Sequence, residues 1–179
     1  MRIISGKYKG RKISGFQIVG TRPTMDRVKE SVFAMIQSRM KEAVCLDLFA
    51  GSGSLGFEAL SQGADTCYFV DKNPYVIKTL KENQKQLNIT ENVFLLEMDY
   101  KKALSLFKQK QIQFDIIFLD PPYNDHLLKP ALQLIEEYQL VKQDGFIICE
   151  YENESFDSSY FLFREKKYGD KKIRIYQRK

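Results

Sequence analysis

From residue 44 onward, apolar runs of strand length alternate with longer stretches whose apolar residues recur at helical spacing. The runs are VCLDLF (44–49), CYFVD (67–71), VFLLEMD (93–99), FDIIFLD (114–120) and GFIICEY (145–151). Between them, 54–62, 74–87, 101–109 and a stretch near 126–138 carry the 3.6-residue period. Five buried strands separated by helices predict a parallel sheet covered on both faces, the doubly wound α/β class. The alternation breaks at the end. Residues 160–168 and 172–178 read as two strands joined by Tyr168-Gly169-Asp170 with no helix between them, an antiparallel hairpin that completes the sheet. Upstream, Thr24 to Glu30 reads as a helix start, and Val28, Val32, Met35, Ile36 and Met40 follow on one face. Residues 1–20, with glycines at 6, 10, 15 and 20, predict a hairpin-like piece that cannot form a core unaided. The expected organisation is an extension of hairpin plus helix over 1–42 and a sheet domain over 43–179.

Composition narrows this picture only slightly. The chain has 179 residues, 44% of them apolar and 28% charged, enough for one globular domain with a small appendage and too few for two enzymatic domains. Charge is more informative by position than in sum. Residues 1–42 hold ten Lys/Arg against three Asp/Glu, residues 43–163 ten against eighteen, and residues 164–179 eight against two. Two basic flanks around an acidic middle suit a catalytic core whose ends hold a polyanion, although basic runs are also commonly solvated chain ends. The three cysteines, Cys45, Cys67 and Cys149, lie in apolar runs without metal-ligand spacing and read as reduced core residues; no metal is expected. The start MRIISGKYKGR lacks an apolar signal region, so a cytoplasmic address is expected.

The first strand leads into Phe49-Ala50-Gly51-Ser52-Gly53-Ser54-Leu55-Gly56, a G-x-G-x-x-G between a strand and a helix. Glycines there let the backbone approach a ligand, and the helix start offers free N–H groups. The pattern suits NAD, FAD and S-adenosylmethionine alike. Asp71, ending the second strand twenty residues after Gly51, is placed to accept bonds from ribose hydroxyls. No G-K-[ST] follows, which argues against a P-loop hydrolase.

The fourth strand ends in Asp120-Pro121-Pro122-Tyr123. Consecutive prolines stiffen the chain at the carboxyl edge of the sheet, where open α/β folds bind ligands. The Asp120 carboxylate and the Pro121 carbonyl can accept both N–H bonds of a planar exocyclic amine while Tyr123 stacks on the base. Held in this way, the nitrogen lone pair turns toward a methyl donor.

These two motifs, with Asp71 and Asp99 between them, resemble the class I S-adenosylmethionine-dependent methyltransferases that methylate amino groups through a D/N-P-P-Y/F turn. Arg2-Ile3-Ile4-Ser5-Gly6-Lys7-Tyr8-Lys9-Gly10-Arg11-Lys12 and Thr21 to Glu30 are further similar to the amino terminus of the bacterial 16S ribosomal RNA (guanine-966-N2)-methyltransferase family. With those blocks the similarity runs essentially end to end. The resemblance implies a Rossmann-like sheet and an S-adenosylmethionine site. Phe49, Ala50, Gly51, Ser52 and Gly53 would hold the methionine end, Asp71 the ribose hydroxyls and Asp99 the adenine amino group, with Lys72 and Tyr100 also in the cofactor site. Asp47 would orient the glycine loop or the methionine ammonium, and Asp120 to Tyr123 would hold the target guanine. Asp99 serves equally well as a helix N-cap.

The same resemblance implies 16S ribosomal RNA as partner, naked or within the small subunit, and Arg2, Lys7, Lys9, Arg11, Lys12, Arg22, Thr24 and Arg27 as RNA contacts. Arg22-Pro23-Thr24 could also serve only to start the helix. His126, the sole histidine, is not needed as a base, because amine methylation needs a positioned lone pair more than a strong one. Nothing in the chain demands more than a monomer. Competing readings are a DNA adenine or protein glutamine methyltransferase using the same turn, an NAD-dependent oxidoreductase, which leaves the D-P-P-Y turn unexplained, and a non-catalytic RNA-binding module, which explains neither motif.

Overall fold

A computed structural model of the chain describes residues 1–15, 22–122 and 126–179, with the side chains of 22–25 outside the description. The elements are α1 (Arg22–Ile36), a 3₁₀ turn (Gln37–Arg39), β1 (Val44–Asp47), α2 (Ser54–Ser61), β2 (Thr66–Asp71), α3 (Pro74–Gln86), β3 (Val93–Glu97), α4 (Tyr100–Gln109), β4 (Phe114–Leu119), α5 (Leu128–Glu137), β5 (Val141–Tyr151), β6 (Phe161–Tyr168) and β7 (Lys171–Gln177). The seven strands form one sheet in the order β3-β2-β1-β4-β5-β7-β6. β1 to β5 pair in parallel, and β7 enters antiparallel between β5 and β6. The doubly wound sheet with its antiparallel end follows from the apolar pattern.

Alternation along the strands divides the core. Cys45, Phe69, Ile116, Phe118 and Ile148 pack with α1, α2 and α3 on one face. Leu46, Val70, Ile117, Leu119 and Ile147 pack with α4 and α5 on the other. Phe33 of α1 stacks on Phe118 of β4 with ring centroids 5.6 Å apart. Local capping sets two helix starts: the Asn73 side chain accepts from Tyr75 N–H with Pro74 in the first turn, and Asp99 does the same for α4. All three cysteines are buried thiols.

Three expectations change. β3 is an edge strand with Phe94 exposed, not a buried strand, because only β2 flanks it. β1 stops at Asp47, two residues before its apolar run ends, where the chain turns into the glycine loop. The amino-terminal hairpin reduces to a single antiparallel bridge, Arg2 to Lys12, within the described residues. Around that bridge Ile3 N–H donates to the Arg11 carbonyl and Ile13 N–H to the Met1 carbonyl, and other amides of the segment are held from outside. Glu58 of α2 accepts the N–H groups of Ile4 and Ser5 at 2.9 Å each, Ser61 accepts those of Lys7 and Tyr8, and Asn83 of α3 accepts that of Ser14 at 2.7 Å. Ile3 and Ile13 thereby join the core cluster of the α1–α3 face.

Candidate active site

The strand order reverses between β1 and β4, so a crevice opens beyond their carboxyl ends, the ordinary ligand position in such sheets. The loop after β1 is a tight cradle. Ala50 N–H donates to the Val70 carbonyl at 3.0 Å, Gly53 N–H to the Ala50 carbonyl at 2.7 Å, and Gly51 N–H to the Asp71 carboxylate at 3.2 Å. Gly51 has φ of +51°, and a side chain there would meet nothing within 4 Å, so its bare face looks onto open space. Gly53 differs: besides φ of +77°, a Cβ would lie 2.6 Å from Phe57 and Leu80. Gly56 allows α2 to approach Phe69 and Cys67 of β2. One glycine faces the ligand side and two serve packing, the division of labour of a nucleotide-type loop.

Asp47 lies beneath this loop, 2% exposed, its carboxylate accepting Gly56 N–H at 3.0 Å. Burial pushes the Asp47 carboxyl up to about 7, the Gly56 bond opposes this, and the nearby Asp71 charge adds to it. Asp71 accepts the Gly51 and Asn73 amides, yet a carboxylate offers about four acceptor positions and can take ribose hydroxyls as well. Lys72 is exposed beside it. Asp99 caps α4 through Lys101 N–H at 2.8 Å, so the capping role is realised, and its carboxylate too has acceptor positions beyond that bond. The Phe49 ring meets Tyr100 at 5.4 Å, joining the glycine loop to the start of α4. Ser52 is fixed by Asn83, whose amide donates to its carbonyl at 3.0 Å. The cofactor candidates from β1, β2 and α4 thus converge on one edge.

Asp120 follows β4 at that edge, with Pro121 buried and Pro122 exposed behind it. Its carboxyl is held well above the ordinary range, first by burial, then by the Glu150 carboxylate, against the Lys171 ammonium and with a smaller push from Asp47. Tyr123 and the side chains of Arg22 and Thr24 lie outside the described residues. Arg2, Lys7, Lys9, Arg11, Lys12 and Arg27 are exposed. Three of these are engaged within the chain: Arg2 pairs with Asp26 at 3.1 Å, Arg11 donates to the Leu87 carbonyl at 2.9 Å, and the Lys7 ammonium lies over the Tyr8 ring at 5.4 Å. His126 is exposed with φ of +49°. Burial pushes the Cys45, Cys67 and Cys149 thiols far up, which removes them as nucleophiles. Among the described residues no group of three metal-ligating side chains occurs.

Several partners escape a reading of the sequence. Glu150 of β5 and Lys171 of β7 form an ion pair beside Asp120. Lys29 and Glu58 form another at 3.1 Å, with side chains 7% and 0% exposed. Asn83, wholly buried, ties Ser14 to Ser52. Nothing in their local sequence marks them, since each acquires its role from an element distant in the chain.

Strand order, glycine cradle and the acid-Pro-Pro turn together define a Rossmann-like methyltransferase architecture. In agreement, the structure "Putative methyltransferase yhhF from Escherichia coli" superposes with a TM-score of 0.86 at 31% identity, covering 100% of this chain and 98% of that one. The chain belongs to the family described as "Conserved hypothetical protein 95", whose model matches residues 1–177. It is 42% identical over 183 residues to "Putative rRNA methyltransferase YlbH" of Bacillus subtilis, with all of both chains covered. It is 37% identical over 182 residues to "Ribosomal RNA small subunit methyltransferase D" of Haemophilus influenzae, covering 99% of this chain and 93% of that one.

Proposed function

We propose that the chain is an S-adenosylmethionine-dependent methyltransferase that modifies the exocyclic N2 of one guanine in 16S ribosomal RNA. The observation that carries the reading is the position of Asp120 and Pro121 at the sheet's carboxyl edge, beside the glycine cradle of β1. Relatives of full-length similarity bear the names of small-subunit RNA methyltransferases. The cradle suits the cofactor: Gly51 presents a bare face, and Asp71 and Asp99 offer carboxylate acceptors for a ribose and an adenine amine.

S-adenosylmethionine, when bound, supplies a methyl group on a sulfonium. Asp120 and the Pro121 carbonyl take both N–H bonds of the guanine amine, which aims its lone pair in line with that methyl. Transfer forms the N–C bond as the C–S bond breaks. The surplus amine proton passes to Asp120, whose raised affinity for a proton suits it to accept one, or to water. Tyr123 stacks on the base, which must leave its own stack to arrive. Asp47 acts at a distance, fixing the start of α2 through Gly56.

Residues 1–42 serve as the RNA-contacting extension and 43–179 as the transfer domain. Arg2, Lys7, Lys9, Arg11, Lys12, Arg22, Thr24 and Arg27, with the basic strand ends after 164, hold phosphates around the target. The chain works as a monomer in the cytoplasm; among the described residues no helix is long and apolar enough to cross a membrane. The test is transfer of labelled methyl from S-adenosylmethionine to free small-subunit RNA, unmethylated 30S particles and duplex DNA, followed by nucleoside analysis. N2-methylguanosine in the RNA or the particle is expected, and Asp120→Ala should abolish it while leaving S-adenosylhomocysteine affinity within severalfold. N6-methyladenosine, or label in DNA, would overturn the assignment.

A further inference from the structure

The turn at Asp120 explains how an amine is held but not why the amine should belong to guanine. The neighbouring strands supply an answer. β4 and β5 pair with Leu119 opposite Cys149, which sets Asp120 beside Glu150 one step further along. β5 and β7 pair with Glu150 opposite Ile173, and Lys171, two residues from Ile173, shares its face. Asp120, Glu150 and Lys171 therefore stand side by side across three adjacent strands. All three line one cavity of about 80 Å³, walled by Leu55, Ile148 and Ile173. Both members of the Glu150–Lys171 pair are largely withdrawn from water, with side chains 13% and 24% exposed. An ion pair drawn into an apolar-walled cavity is a costly arrangement for stability alone.

In sheet order the three side chains read acceptor, acceptor, donor. The Watson–Crick edge of guanine reads N2 donor, N1 donor, O6 acceptor. We propose that Glu150 and Lys171 are the residues that select guanine, the Glu150 carboxylate accepting N1–H and the Lys171 ammonium donating to O6, while Asp120 holds N2. The assignment rests on the N2-methylguanine reading above and deepens it. A carboxylate has about four acceptor positions and an ammonium three donors, so their mutual contact is compatible with contact to a base. Adenine presents the inverse edge: its N1 lone pair would face the carboxylate and its N6 hydrogens the ammonium. A mismatched polar group in such a site costs more than a missing contact, because buried charges are left opposed.

The test uses the full-length protein and small-subunit RNA joined by splinted ligation, carrying either guanosine or 2,6-diaminopurine riboside at the acceptor position. The analogue keeps the 2-amine and replaces N1–H by a lone pair and O6 by an amine. The wild-type chain should methylate guanosine at least about tenfold faster than the analogue. Glu150→Gln, whose amide can donate to the bare N1, should slow transfer to guanosine and narrow the ratio by about tenfold or more. S-adenosylhomocysteine affinity of the variant, unchanged, certifies its fold. Equal rates for both nucleosides in the wild type overturn the assignment without any variant, and an unaltered ratio in Glu150→Gln overturns it as well. These outcomes differ from failure of the underlying reading, in which guanosine itself receives no label at N2 and both proposals fall.

Discussion

Asp47 is the clearest case in which a residue of the candidate site works against the stability of the chain that carries it. It is 2% exposed, its partner is a single amide at 3.0 Å, and burial pushes its carboxyl up to about 7 from an ordinary 3.8. A carboxyl whose folded value is raised stabilises the fold most when protonated, below the unfolded value. That contribution is lost as pH rises through the folded value. Between about pH 5 and about pH 8 the loss amounts to about 2–3 kcal/mol, most of it in the lower half of the range, because the slope is full below the folded value and levels off above it. For a chain of this size that is a fall of about 5–10 °C in Tm. Asp47→Asn keeps an oxygen for Gly56 N–H but cannot ionise, so its Tm should respond to pH less than the wild type's by that amount. The variant should be the more stable of the two near about pH 8, less the cost of burying an amide N–H₂, about 1–3 kcal/mol. The assay is thermal unfolding of both cofactor-free proteins across that range at fixed ionic strength. Taking the difference between them cancels every other titrating group, Asp120 included, to the extent that it is unaffected by the exchange. Parallel curves would refute the reasoning.

Lys29→Met strips Glu58 of its counter-charge but leaves the donors of Ile4, Ser5 and Gln62, so the loss should fall at the low end of about 3–5 kcal/mol. Adding Glu58→Gln should recover at least about 1 kcal/mol in urea unfolding, and strictly additive losses would deny that the two act as a pair. Gly51→Ala should cost only about 1–2 kcal/mol of stability, from its left-handed backbone, because its Cβ meets no protein atom. Titration with S-adenosylhomocysteine should nonetheless show an affinity loss of more than about tenfold, and unchanged affinity would remove the loop from the cofactor site. Replacing Lys7, Lys9 and Lys12 together by Gln should lower the slope of log affinity for small-subunit RNA against log salt by about 2–3 in filter binding. An unchanged slope would mean that these exposed lysines touch no phosphate.

What could be read along the chain is what local periodicity and turn chemistry encode. The buried runs of β1, β2, β4 and β5, the cap at Asp99, the glycine cradle and the acid-Pro-Pro turn are each contained within a dozen residues. The misreadings have a common origin in pairing at long range. VFLLE has the same composition as the central strands, and only its place at the sheet's edge exposes Phe94. The amino-terminal glycines suggested a hairpin, and a short antiparallel pairing is present, but the amides of Ile4, Ser5, Lys7 and Tyr8 are used on Glu58 and Ser61, over fifty residues away. Glu150 and Lys171 carried no signal either, because their convergence on Asp120 depends on β7 entering between β5 and β6.

Those long-range anchors bear on how a phosphate-gripping segment could be put in register with a reacting atom. α2 begins at the glycine cradle and carries Glu58 and Ser61, which hold residues 4–8, while Lys29 bridges Glu58, Ser54 at the helix start and the Arg2 carbonyl. Asn83 repeats the device on the other side, joining Ser14 to Ser52 of the cradle. Even Met1 lines the cavity beside Asp120, and Ser52 Oγ lies 3.6 Å from its sulfur. A basic segment attached only by its sequence neighbours would raise RNA affinity without improving alignment, since phosphate contacts position a ligand only as well as they are themselves positioned. Here the backbone of the basic segment is hydrogen-bonded to the same helices that shape the cradle. Under the proposed function, binding energy gained at the phosphates would be delivered at a fixed distance from Asp120, which is the condition for it to raise the rate of methyl transfer and not merely the occupancy of the site.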